Sequence, residues 1–237
     1  MTTSPWSSQI SSPILSPSSS QPNSFRLLVE EERRDLSSQN FAALVKTLND
    51  QALHLLTSSQ STPKEKIVGL NVMDALLEIH DEDMIRRRRD FGNLLRQFLK
   101  TLLNSQTYSL PLLNTLCATL GHFSSIASTT DIEFVQEHFL KPVEDWMKDD
   151  RYPVRRVVAV LIIDVLLSNA PALFYSKKNL TFDQIWQAIF DTKERVVRVR
   201  AAETLGTFLM FVHQRERTDH FYSRSLEQAE VSMRGAL

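Results

Sequence analysis

Few residues of this chain are of a type and spacing that could do chemistry. Asp90-Phe91-Gly92 is the tripeptide with which phosphoryl-transfer enzymes set an aspartate on magnesium. It lies inside a helical run in which Phe91, Leu94, Leu95, Phe98 and Leu102 form an apolar stripe. With glycine only at 69, 92, 121, 206 and 235, no phosphate-cradling loop can be written, and phosphoryl transfer needs the whole constellation. His54, His80, His122, His138, His213 and His220 show no His-x3-His pair, and only His122 has a cysteine near it, Cys117. Cys117 reads as a small buried apolar residue. No Gly-x-Ser-x-Gly elbow holds a nucleophile. Asn179-Leu180-Thr181 is formally a glycosylation acceptor, but no secretory signal precedes it. We therefore expect no catalytic, cofactor-binding or metal-binding residue. Arg86, Arg87, Arg88 and Arg89 form the densest charge and could meet an acidic partner or phosphate, although Asp81, Glu82, Asp83 and Asp90 stand beside them.

The elements that carry these residues read as all-α. The 237 residues are 42% apolar and 23% charged, enough to bury a core, and a formal charge of -1 gives no general pull toward nucleic acid. The longest apolar run, Val157 to Leu167, contains Asp164 and falls short of the ~20 residues of a membrane span. One cysteine is compatible with a reducing cytosol. Positions 1 to 24 hold ten serines and four prolines, including Ser4-Pro5, Ser12-Pro13 and Ser16-Pro17, and residues 1–35 read as a disordered tail and lead-in. From Leu36 onward apolar residues recur at three and four-residue steps. Breaks are expected at Thr57 to Pro63, Ser105 to Pro111, Ser128 to Asp131, Asp149 to Pro153, Ala170 to Pro171 and Asp191 to Glu194.

Repeats organise the 36–237 part. Val72, Leu116, Val158 and Ala201 form one apolar column, Leu76, Leu120, Ile162 and Leu205 a second, and Ile79, Phe123, Val165 and Phe208 a third, at offsets of 44, 42 and 43. Within each repeat they stand at i, i+4 and i+7, one stripe on the second helix of a pair. Leu103, Trp146 and Ile189 make a separate column on the first helices. The pattern predicts an α-solenoid of antiparallel helix pairs at about 36–80, 83–127, 131–169 and 171–213, with a fifth opening near 219.

Asp150-x-x-x-Val154-Arg155 matches the HEAT signature, an aspartate in the intra-repeat turn facing an arginine at the start of the second helix. Asp191 with Val197-Arg198 repeats it with a longer turn. Arg155 and Arg198 are expected to be structural, each tying a turn through Asp150 and Asp191. The runs Arg155 to Leu161, Asn169 to Tyr175 and Ile185 to Asp191, then Gln214-Arg215-Glu216, Phe221-Tyr222 and Glu227 to Glu230, resemble the N-terminal HEAT region of the target-of-rapamycin (TOR) kinases over about residues 62 to 237.

The resemblance implies part of a very long serine/threonine kinase whose kinase domain and rapamycin-binding region lie elsewhere. It implies a cytoplasmic scaffold, also at endomembranes or in the nucleus, that helps assemble a dimeric complex and binds Raptor- or Rictor-type subunits. The alternative is an unrelated HEAT or armadillo adaptor of the transport or phosphatase-scaffold type.

Overall fold

In a computed structural model, residues 22–79, 82–104, 108–149, 151–175, 178–191 and 193–234 are described, with the backbone alone for 22–24, 38, 82–87 and 220–234. All regular structure among them is helical. The helices are α1 (Pro22–Asp35), α2 (Ser38–Thr57), α3 (Pro63–Leu77), α4 (Glu82–Leu103), α5 (Leu110–Ser125), α6 (Thr129–Val135), α7 (Val143–Met147), α8 (Pro153–Asn169), α9 (Ala172–Tyr175), α10 (Lys178–Ile189) and α11 (Arg195–Arg234). A single π turn, Gln136–Leu140, follows α6 directly. No described helix is long and apolar enough to cross a membrane.

The breaks read from the sequence fall at helix ends, for identifiable reasons. Thr62 caps α3 by accepting from the Glu65 amide while the Glu65 carboxylate accepts from the Thr62 amide, so two orphan donors are satisfied at once. Ser128 and Asp131 do the same for α6. Pro63, Pro111 and Pro153 stand in the first turns of α3, α5 and α8, where the missing N–H is no loss.

The chain divides into two compact units, Met1–His138 and Phe139–Leu237. In the first, α3 is the central helix: α2 pairs with it, and α1 and α5 also pack on it. Nine of its fifteen residues are buried, from Val68 to Leu77. Gly69 lets α2 approach closely, since a Cβ there would stand 3.2 Å from the Ala52 carbonyl oxygen and from Leu56 Cγ. In the second unit, α7 and α11 both pack on α8, which is buried nearly all round, and α10 lies on α11. Of the twelve residues in the three repeat columns, ten are buried, while Val165 and Leu205 are half-buried.

Three expectations are corrected. Residues 22–35 are not part of a disordered lead-in: they form α1, with Phe25 and Val29 buried and Arg26 paired to Asp74 and Glu78. Residues 1–21 lie outside the described part. The first helix of the 131–169 pair, expected over about 131 to 148, is not continuous. After the π turn a turn at Lys141-Pro142 interrupts it, because Pro142 has no N–H to donate and its ring crowds the preceding turn. Finally, no break separates a fourth pair from a fifth near 213 to 219, since α11 is continuous over 40 residues. Neither glycine nor proline occurs between Gly206 and Gly235. The polar 214–219 stretch is anchored as helix by Lys178 on Glu216, by the Tyr175 hydroxyl on Asp219 and by the Arg215–Asp219 pair.

Candidate functional site

The two arginine-bearing turns of the second unit are built alike. Asp149 Oδ1 accepts from the amides of Arg151 and Tyr152, and Asp191 Oδ1 accepts from those of Lys193 and Glu194. Each aspartate closes a short Asx-type turn and launches the next helix four residues on, at Pro153 and Arg195. Arg156 then reaches back with Nη1 to the Asp149 carbonyl at 2.8 Å, and Arg198 to the Asp191 carbonyl at 2.7 Å, each across seven residues. Arg156 also places Nε 2.8 Å from Asp191 Oδ2, so one side chain ties two successive turns.

This geometry moves the expected register by one residue. The position equivalent to Arg198 is Arg156, not Arg155. The described carboxylate that meets Arg155 is Asp149, at 2.6 Å, and the Arg155 guanidinium also lies over the Tyr152 ring. Asp150 lies outside the described residues. Counting back four residues from the helix-opening Pro153, as from Arg195, would have selected Asp149.

The same contacts set the charges. Backbone donation from Arg151 is the largest influence on the Asp149 carboxyl, and with the Arg155 side chain and the Tyr152 amide it outweighs desolvation and holds the carboxyl below its ordinary value. For Asp191, burial pushes upward, but the Glu194 and Lys193 amides and Arg156 outweigh it and the carboxyl is lowered.

The other residues singled out in the sequence make the following contacts. Arg88 donates to the Ile126 carbonyl just past the end of α5 (3.1 Å), and Arg89 donates to the Thr130 carbonyl (3.3 Å). The side chains of Arg86 and Arg87 lie outside the described residues. Asp90-Phe91-Gly92 is helical, and Gly92 is there for space: a Cβ would stand 2.9 Å from Phe134 Cε1 and 3.1 Å from Phe123 Cζ. Cys117 is a buried thiol. Among the described residues no group of three histidine, cysteine or acidic side chains could hold a metal.

Two features were not read from the sequence. His122 donates through Nδ1 to Asp74 Oδ1 at 2.8 Å, and Arg26 reaches Asp74 Oδ2 at 2.6 Å and Glu78 at 2.7 Å. Burial alone would raise the Asp74 carboxyl, but His122 and Arg26 outweigh it and hold it low. Partners 48 residues apart leave no local signal for this network. On α10, Phe182 stacks on Trp186, which meets Phe190 edge-on, and Trp186 and Phe190 remain 47% and 62% exposed. The i, i+4, i+8 spacing of these aromatics was legible.

An all-α chain of paired helices, two of whose turns are joined by arginine and aspartate, has the make-up of a helical-repeat protein. No protein-family model matches the chain. It is 30% identical over 207 residues, 86% of its length, to the serine/threonine-protein kinase TOR of Oryza sativa subsp. japonica. It is 29% identical over 87% of its length to the serine/threonine-protein kinase tor1 of Schizosaccharomyces pombe, and 28% over 84% to TOR of Arabidopsis thaliana. Most of the chain is thus related in sequence to one region of the TOR kinases, over a longer span than residues 62 to 237. The chain spans about 8% of the length of these curated relatives.

Proposed function

We propose that the chain is a non-catalytic scaffold of HEAT type, part of a TOR serine/threonine kinase, that serves complex assembly and holds Raptor- or Rictor-type accessory subunits in the cytoplasm. The observation that carries the reading is the match to three TOR kinases over 84% to 87% of the chain, confined to 8% of their length. Support comes from the repeated aspartate turn with its arginine, because such a ladder fixes the stacking of successive pairs and so keeps a broad binding face rigid. The test mixes the purified chain with a purified Raptor-type or Rictor-type subunit of the same organism. A stable complex with one of them, at a Kd of about 1 μM or tighter, is the expected outcome. Calorimetry with ATP and magnesium should show no saturable heat. Binding of nucleotide without binding of either subunit would overturn the proposal.

A further inference from the structure

In the first unit, α4 lies against α6 and the start of the π turn, and the seam between them is lined with cations. Arg89, held to the Thr130 carbonyl, has its guanidinium 4.4 Å from the Phe134 ring centre. Phe134 meets the His138 ring edge-on at 4.6 Å. Two turns along α4 from Arg89, Arg96 sets Nη1 3.2 Å from Nε2 and 3.4 Å from Nδ1 of His138.

This contact is unlike those of the other arginines described above. Arg26, Arg155 and Arg156 reach carboxylates, and Arg88 and Arg198 reach backbone carbonyls. Arg96 meets no carboxylate among the described residues, and its Nε is buried without an acceptor. A guanidinium keeps its proton at any ordinary pH, so it tolerates an imidazole at this distance only while the ring is neutral or an anion joins the two. Burial, then Arg96, and further Arg89 and Lys100 depress the His138 pKa, with Glu137 on its own turn opposing them. The seam therefore stores a charge arrangement that an added anion would relieve.

We propose that Arg89, Arg96 and His138, with Lys100 at the far end, bind the phosphate of a phosphorylated serine in the chain's own N-terminal Ser-Pro segment. A dianion with three acceptor oxygens can meet the Arg96 fork and the His138 ring together, which a single carboxylate does less well. The groups lie on half-buried and exposed surface, so a free ion gains only solvent-screened contacts there and a peptide must add its own. Residues 1–21 contain no aspartate or glutamate, and Ser4-Pro5, Ser12-Pro13 and Ser16-Pro17 would give them negative charge only when phosphorylated. The proposal stands independently of the TOR reading.

The experiment uses the full chain with labelled histidine rings and a peptide copying residues 11–20 phosphorylated at Ser16. The expected result is that the His138 resonances titrate at higher pH with this peptide. Its affinity should fall by about tenfold or more in Arg96→Gln, the size of one lost charge-assisted contact. Lys100→Gln, an exposed change that leaves the fold alone, should weaken it less. Equal binding of the unphosphorylated peptide, equal affinity of inorganic phosphate, unmoved His138 resonances, or full affinity in both variants would each overturn the assignment.

Discussion

Arg156 and Asp191 form the joint of the second unit: Nε stands 2.8 Å from Oδ2, both side chains are about nine-tenths buried, and the same guanidinium holds the Asp149 carbonyl. The pair sits where α8 begins and where the turn before α11 closes. Its loss is therefore felt by two helix pairs.

Arg156→Ala should lower stability by about 2 to 4 kcal/mol in denaturant unfolding, since it leaves the buried Asp191 without its cation. Arg155→Ala, which removes a more exposed contact, should cost clearly less. In a double-mutant cycle Arg156→Ala with Asp191→Ala should cost less than the two single losses summed. Strict additivity would show that the pair is not coupled.

Acid should weaken the fold through Asp74, Asp149 and Asp191. Their folded-state carboxyls lie below the ordinary value, so the stability they add is present above the unfolded pKa near about 4 and is lost as pH falls through the folded one. Melting temperature measured from pH 6 to pH 2 should fall mainly below pH ~4. Asp191→Asn should flatten that fall, and an unchanged profile would remove Asp191 from the account.

Gly92 and Gly206 should respond to alanine with opposite sign. Gly206→Ala meets nothing within 4 Å and should stabilise by about 0.5 to 1 kcal/mol through helix propensity. Gly92→Ala drives a methyl into Phe134 and Phe123 and should destabilise by about 1 to 2 kcal/mol net of the same propensity gain. Thermal melts of both variants decide it, and stabilisation by Gly92→Ala would show that the rings yield freely.

Removing residues 1–35, as the composition of the tail would suggest, should lower the melting temperature. Deletion uncovers α3 where Phe25 and Val29 pack, and takes Arg26 from Asp74 and Glu78. Phe25→Ala in the full chain should reproduce a part of that loss, about 3 kcal/mol for a truncated buried phenylalanine. A deletion that melts like the parent would mean that α1 contributes nothing.

The sequence alone determined the all-α class, the positions of the helix breaks and the buried columns, because apolar spacing, proline at helix starts and Ser or Thr caps act within a few residues of one another. Pro142 and the continuous 207–234 stretch were equally local signals, and they account for the split of 131–148 and the absence of a break after 213. Tertiary structure decided what depends on partners distant in the chain. It brought Asp149 to Arg155 and Asp191 to Arg156, joined Asp74 to Arg26 and to His122, each across 48 residues, and set Arg96 against His138 across 42. A charged side chain is satisfied by whichever group the packed helices bring within about 3 Å. Sequence spacing fixes which face a residue takes, and the packing of the helices fixes which residue it meets.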